Sequence, residues 1–434
     1  MKKENISGEK RILYALGEAD ETYIAQAAPA EKAGSRALWM KWAALAACVT
    51  LTVYAGIRFL LAEHSGGGPS GLPGSSQNRN PSGLPGSAGD DAGGHTAEDG
   101  PSGLPMLTIV WDSGGSMGYE GCMAYDISDL TNANPWDETA QLSTLPVYRN
   151  TLQNETDFEA MENFLLETAK RLHMDTDTLK INDNTPDAEE QAIITEKFEG
   201  NVPEGYFDPT ALVAEENGIK IEADNTMTAT ITFEPAVPLP EKYRFTHDSS
   251  YEDTLAVAEY LQETYSDLIN MEEPVINIYG GDYDIYRKQG YHITFFDAAE
   301  SLTERILNYQ FFQTAFYCDD EGRLNMARIY RPDLSDKAGD YPIISKEEAT
   351  DLLLNGNYIT SVPFEMPGEK YIAKAELVYR SGKNEKYYMP YYRFYAELPE
   401  MEQEDGLKDY GAYYVPAVQK EYLTDMPVWN GDFN

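Results

Sequence analysis

Residues 374–398 read KAELVYRSGKNEKYYMPYYRFYAEL, and they decide what the C-terminal part of this chain builds. Two runs rich in Val, Leu, Tyr and Phe flank the polar stretch 381–386, the pattern of two strands joined by a turn. Successive strand residues point to opposite sides, so these aromatics stand on both faces. A further strand-like run, GAYYVPAVQ, follows at 411–419. Ahead of them lies SKEEATDLLLNG at 345–356. Ser345 and Glu348 have the spacing of a capping box, and Gly356 ends the helix.

Working outward, the same signals recur twice upstream. Thr156-Asp157-Phe158-Glu159 opens a helical run with Phe158, Met161, Leu165, Ala169 and Leu172 on one face. Ser249-Ser250-Tyr251-Glu252 opens another, aligning Ala258, Leu261, Tyr265 and Leu268. Strand-like runs follow each helix. TALVAEE and GIKIEAD surround Asn217-Gly218, a strong hairpin signal, and TMTATITFEP comes next. PVINIY, GYHITFF, and the pair NYQFFQTAFYC and RLNMARIYRP follow the second helix. The expected fold class is α+β, with helices packed on antiparallel sheets in two or three units. Their boundaries are 106–240, 241–340 and 341–434. Similar helix starts alone do not establish an internal repeat.

Residues 42–61, WAALAACVTLTVYAGIRFLL, carry one charge, Arg58. Twenty helical residues match a hydrocarbon core about 30 Å thick. Trp39 and Trp42 suit an interface, and Arg58 lies where its side chain can snorkel. Residues 1–41 hold seven Lys/Arg against six acids, while only Arg79 follows within twenty residues of Leu61. The expectation is one transmembrane helix with the N-terminus in the cytoplasm and the C-terminal region outside the cell. A cleaved signal peptide would place its apolar run earlier in the chain. Leu45-Ala46-Ala47-Cys48 has the form of a lipobox, but mostly apolar residues follow Cys48 where a polar tether belongs. Residues 62–105 are a Gly/Pro/Ser linker in which Pro-Ser-Gly-Leu-Pro occurs three times, a composition that cannot bury enough apolar surface to order itself.

The formal net charge is −40, and the acidic excess lies beyond the membrane segment. Such a surface repels phosphate, so nucleic acid is excluded as a partner of the outer region. Ile12, Leu13, Leu16, Ala19 and Tyr23 fall near one face of a short amphipathic helix in the tail, suited to a partner's groove or the inner leaflet.

Two resemblances add to this. IISKEEATDLLL (343–354) and the two-strand element after it resemble the PepSY-type layout over about 345–418. That implies an inhibitory or sensory module in a bacterial extracytoplasmic protein. RILYALGEADETYIAQAAP and MKWAALAACVTLTV, over roughly residues 9–54, resemble uncharacterised single-pass proteins of Gram-positive anaerobes, some of them similar to anti-sigma factors. That implies a sigma factor as the tail's partner. The tail departs from zinc-containing anti-sigma domains, having neither Cys nor His.

Tempting chemical motifs fall short. Asp112, Gly114 and Ser116 give an imperfect version of a von Willebrand A metal loop, and no strand–helix alternation follows. Asp175-Thr176-Asp177 begins like a calcium loop, but Leu179 and Lys180 break it. Asp282 and Asp284 amount to no more than a weak cation site. His173, His247 and His292 show no metal or triad spacing, and Cys122 and Cys318 could pair or stay free. No catalytic residues, metal or cofactor are assigned. The tyrosine-rich strands nominate Tyr388, Tyr392, Phe394 and Tyr413 as a stacking surface for sugar or peptide, against the plainer reading that Tyr suits half-buried sheet positions. The expected function is a membrane-anchored sensory or regulatory protein without catalysis. The alternative is a surface module binding wall polymer, carbohydrate or protein, with the N-terminus as anchor only.

Overall fold

The computed structural model describes residues 100–109 and 120–431, apart from 154–155 and the single positions 199, 204, 383, 402 and 404. The tail residues Ile12, Leu13, Leu16 and Tyr23, the apolar segment 42–61, nearly all of the linker and the 112–116 loop lie outside the described residues. Among the described residues no helix is long and apolar enough to cross a membrane.

The chain runs through β1 (Cys122–Ala124), β2 (Thr144–Arg149), α1 (Phe158–Arg171), β3 (Ile181–Asp183) and α2 (Ala188–Lys197). A meander follows: β4 (Ala211–Glu216), β5 (Ile219–Asp224) and β6 (Thr228–Val237). Next come α3 (Tyr251–Thr264), α4 (Ser266–Ile269), β7 (Pro274–Tyr283) and β8 (Gln289–Asp297). Then α5 (Leu302–Phe311), β9 (Gln313–Cys318), β10 (Leu324–Tyr330), β11 (Lys337–Pro342) and α6 (Lys346–Leu354) appear. The chain finishes with β12 (Ile359–Thr360), β13 (Ile372–Arg380), β14 (Tyr387–Glu397) and β15 (Lys408–Pro416).

Two antiparallel sheets dominate. One has eight strands in the order β3-β4-β5-β6-β10-β9-β8-β7. The other has seven, along β1-β15-β14-β2-β11, with β12 on β15 and β13 on β14. The expected α+β architecture of two or three helix-centred units is therefore corrected to a mostly β structure with few helices. The physical reason is the reach of the pairing. β6 pairs with β10, and β2 pairs with both β11 and β14, so strands far apart in the chain share a sheet. Local helix signals carry no information about such partners.

The helices cap as short polar side chains direct. Ser345 and Glu348 close a reciprocal box at α6, as expected. At α1 and α3 the caps are Asp157 and Ser250, one residue later than the first residue of each motif. Phe164, Leu165 and Ala169 of α1 and Val257, Ala258 and Leu261 of α3 bury against one face of the eight-stranded sheet.

The seven-stranded sheet is buried on both faces, which explains its tyrosines. On one side Tyr388, Tyr392, Phe394, Tyr413 and Val415 pack with Phe311 of α5, Leu353 of α6 and Trp136. On the other Met389, Tyr391, Ala412 and Tyr414 pack with Leu107, Ile109, Tyr422 and Leu423. Tyr388, Tyr392, Phe394 and Tyr413 are thus no stacking surface: each is at most 3% exposed. The tyrosine hydroxyls turn inward, Tyr388 donating to Asn150 Oδ1 at 2.9 Å and Tyr392 to the Ile344 carbonyl at 2.9 Å. Burying a ring of this kind is worth about 1.5–3 kcal/mol, provided its hydroxyl finds a partner.

The sheets meet along a seam. Thr131 bridges Gly280 at the edge strand β7, its N–H donating to the Gly280 carbonyl at 2.9 Å. The Ala133 N–H donates to Asn277 Oδ1 at 2.7 Å, while Asn134 Nδ2 donates to the Leu377 carbonyl at 3.2 Å. Residues 131–134 therefore touch β7 and β13 together. Gly281 permits this approach: its φ is +92°, and a Cβ there would lie 2.0 Å from the Asp129 carbonyl oxygen. Gly281→Ala is expected to destabilise the protein by more than about 2 kcal/mol in urea unfolding. Gly356→Ala, at φ +80° with open space around it, should cost only about 1 kcal/mol.

Candidate functional site

β13, β14 and β15 pair so that Glu376 faces Arg393, and Arg393 faces Tyr414. These three side chains form a row on the sheet face shared by Val378 and Tyr391. Glu376 is 3% exposed and accepts at both oxygens. Lys374 Nζ lies 2.9 Å and Asn132 Nδ2 2.7 Å from Oε1. Arg393 reaches Oε2 through Nη2 at 2.6 Å and Nε at 3.1 Å. Burial pushes the Glu376 pKa up, but Arg393, Lys374 and the Asn132 hydrogen bond outweigh it and hold the carboxyl at about 2. Burial likewise pulls Arg393 down, and Tyr395, Tyr414, Glu376 and Glu120 more than restore it. The Tyr414 hydroxyl donates to Glu120, extending the row to the segment before β1. Arg393 also sits 5.1 Å over the Tyr395 ring.

Over this row the seam leaves a cavity of about 380 Å³. The seven-stranded sheet supplies Cys122, Lys374, Val378, Arg393, Tyr395 and Tyr414, with Glu120 and Asn132 from the stretches flanking β1. The eight-stranded side supplies Asn277, Tyr279 and Asp282 of β7 and Tyr309, Gln310 and Gln313 around the end of α5. Gln310 Oε1 accepts from the Tyr379 N–H at 3.2 Å, fixing α5 to β13. Burial raises the Asp282 carboxyl, helped by Asp284, and raises the Tyr309 phenol to about 12. Burial also drives the Cys122 thiol up, aided by Asp282, so it is held as the unreactive thiol.

A slightly larger groove, about 430 Å³, lies at the far end of the eight-stranded sheet beside Arg171, His173, Gly218 and Asp267. His173 and Asp267 pair there at 3.2 Å with both side chains largely in water. The seam is the better site because its polar groups converge from both sheets and are positioned by a buried ion pair.

Other candidates from the sequence go elsewhere. Among the described residues no group of three or more His, Cys, Asp and Glu is placed to hold a metal. Asp284 is engaged by its own turn, accepting from the Tyr286 and Lys288 N–H groups, so it forms no cation site with Asp282. Asp175 accepts from Asp177 N–H at 3.2 Å and Thr178 Oγ1 at 2.8 Å, a closed acidic turn. Cys122 and Cys318 are free thiols in different sheets. His292 stacks on Tyr279 at 4.9 Å, and burial lowers its pKa. Glu376, Arg393, Tyr414, Glu120 and Tyr309 were not singled out from sequence. The signal for the first two was present: a lone charge inside each of two apolar strands, AELVY and YYRFY, needs a buried partner.

Glu376→Gln leaves two partly buried cations without their carboxylate and is expected to cost about 3 kcal/mol in urea unfolding. Asp409, on β15, supplies a pH test. Burial raises its carboxyl to about 6, against the opposing Gln403 hydrogen bond and Arg287. A raised carboxyl pKa stabilises the fold below the ordinary value near 3.8, and that contribution is lost as pH climbs through 6. The Asp409→Asn protein should therefore show a flatter unfolding midpoint between pH 4 and 6 than the native chain.

No protein-family profile matches the chain, and neither does any curated protein. Among solved structures it is similar to an uncharacterised protein from Eubacterium rectale, at 13% identity over 64% of this chain and 84% of that one, with a TM-score of 0.30. A likeness of that size carries no argument about fold or function.

Proposed function

We propose that the chain is a membrane-anchored sensory or regulatory protein whose outer, two-sheet region binds a small ligand in the seam. The observation that carries this reading is the position of the cavity: its walls come from both sheets and from the segment that crosses between them. A ligand there would touch both sheets at once, and so favour one relative arrangement over another by its differential affinity. The apolar segment 42–61 and the acidic composition beyond it support a membrane anchor with the sheets outside the cell. The amphipathic tail supports a cytoplasmic partner, for which the resemblance to anti-sigma factors suggests a sigma factor.

The alternative, a surface module in which Tyr388, Tyr392, Phe394 and Tyr413 stack on a polymer, loses its platform because those rings lie in the core. The test is a membrane pull-down with the full-length chain and a version lacking residues 1–34. Recovery of a sigma factor or other cytoplasmic regulator only with the intact tail is the expected result. Identical partners from both versions, or none, would sink the regulatory reading and leave the tail as an anchor.

A further inference from the structure

The charges in the seam are already spent within the protein. Lys374 and Arg393 both pair with Glu376, and Glu120 accepts from Tyr414. An anionic ligand would have to draw Lys374 or Arg393 from the buried Glu376 carboxylate and leave that charge uncompensated, which is costly. The formal net charge of −40 further opposes an anion approaching from outside. Apart from the Asp282 carboxyl, what the walls leave for a ligand is uncharged. Among the described residues the hydroxyls of Tyr279, Tyr309 and Tyr395, all residues lining the cavity, make no hydrogen bond within the protein. Gln310 spends its oxygen on Tyr379 N–H and keeps its amide hydrogens as donors. Asp282 adds a carboxyl on the opposite wall.

Phenol rings, an amide and a carboxyl converging on about 380 Å³ suit a molecule with many hydroxyls and flat apolar ring faces. We propose that the seam cavity takes a neutral polyhydroxylated ligand, one or two sugar rings in size. Tyr309 and Tyr395 bond its hydroxyls, one from each side of the seam, so the ligand spans both walls. The inference rests on the reading of the seam as the ligand site and specifies its chemistry.

The test is calorimetric titration of the full-length chain in nanodiscs with glucose, galactose, mannose, N-acetylglucosamine, maltose and cellobiose. Glycine, glutamate, lysine and inorganic phosphate serve as charged probes. At least one neutral saccharide is expected to bind with a Kd below about 10 mM. Tyr309→Phe and Tyr395→Phe should each weaken it by about tenfold or more, because each removes a hydroxyl without changing the ring. Unchanged melting temperatures of the two variants would show that the fold is kept. The proposal is overturned if no neutral saccharide binds, if both variants bind it undiminished, or if only charged probes bind. Charged probes whose binding falls when Val378→Trp fills the cavity would leave the seam as a ligand site and remove only the sugar assignment. The regulatory reading stands or falls separately, on the pull-down.

Discussion

Glu376 accepts from Lys374 and Arg393 on its own sheet and from Asn132 on the segment that crosses to the other. A carboxylate taken this far out of water survives as an anion only when its oxygens are fully occupied. Here that occupancy joins three separate stretches of chain. It holds β13 and β14 in the register that places Arg393 opposite Glu376, because a one-residue slip would move each charge to the other face. It also fixes Asn132, whose neighbours Thr131 and Ala133 bond to β7. The register of one sheet, the closure of the seam and the shape of the cavity thus depend on one buried carboxylate.

Around it, the seven-stranded sheet behaves like the middle layer of a sandwich. Both faces are covered, so neither can show the apolar–polar alternation of a half-exposed strand. Tyrosine serves this layer because its ring fills volume while its hydroxyl reaches a backbone carbonyl at the edge of the core. Tyr379 reaches Pro146 at 2.8 Å and Tyr341 reaches Pro105 at 2.8 Å. Arg380 follows the same logic with charge. It pairs with Glu385 at 2.9 Å and lies 5.6 Å from the rings of both Tyr391 and Tyr414.

The amino-acid sequence disclosed the elements far better than their arrangement. Asn217-Gly218 turns the β4–β5 hairpin, both residues at positive φ, and Ser345 with Glu348 caps α6, since these signals act over a few residues. Sheet membership was illegible because β2 finds β11 and β14 almost two hundred or more residues away, and no local pattern names a distant partner. The tyrosines misled for a related reason. A run such as YYMPYYRFY reads equally as an exposed aromatic face or as a strand buried twice, and only the covering layers, α5 and α6 on one side and Leu107 with Leu423 on the other, decide between them. The site depended on the same missing information. Arg393 looked like an isolated charge until the register set Glu376 beside it.

The root of the linker lies on the sheet face that carries the site. The Leu107 N–H donates to the Tyr422 carbonyl at 2.8 Å, and the Thr424 N–H returns a bond to Leu107 at 2.8 Å. Leu107 and Ile109 share their core with Tyr391 and Tyr414, and Tyr414 ends the row that begins at Glu376. A close-packed core passes displacement on rather than absorbing it. A ligand that favours one setting of the Arg393–Tyr414–Glu120 row would therefore act on the layer holding the linker, with no separate relay between them.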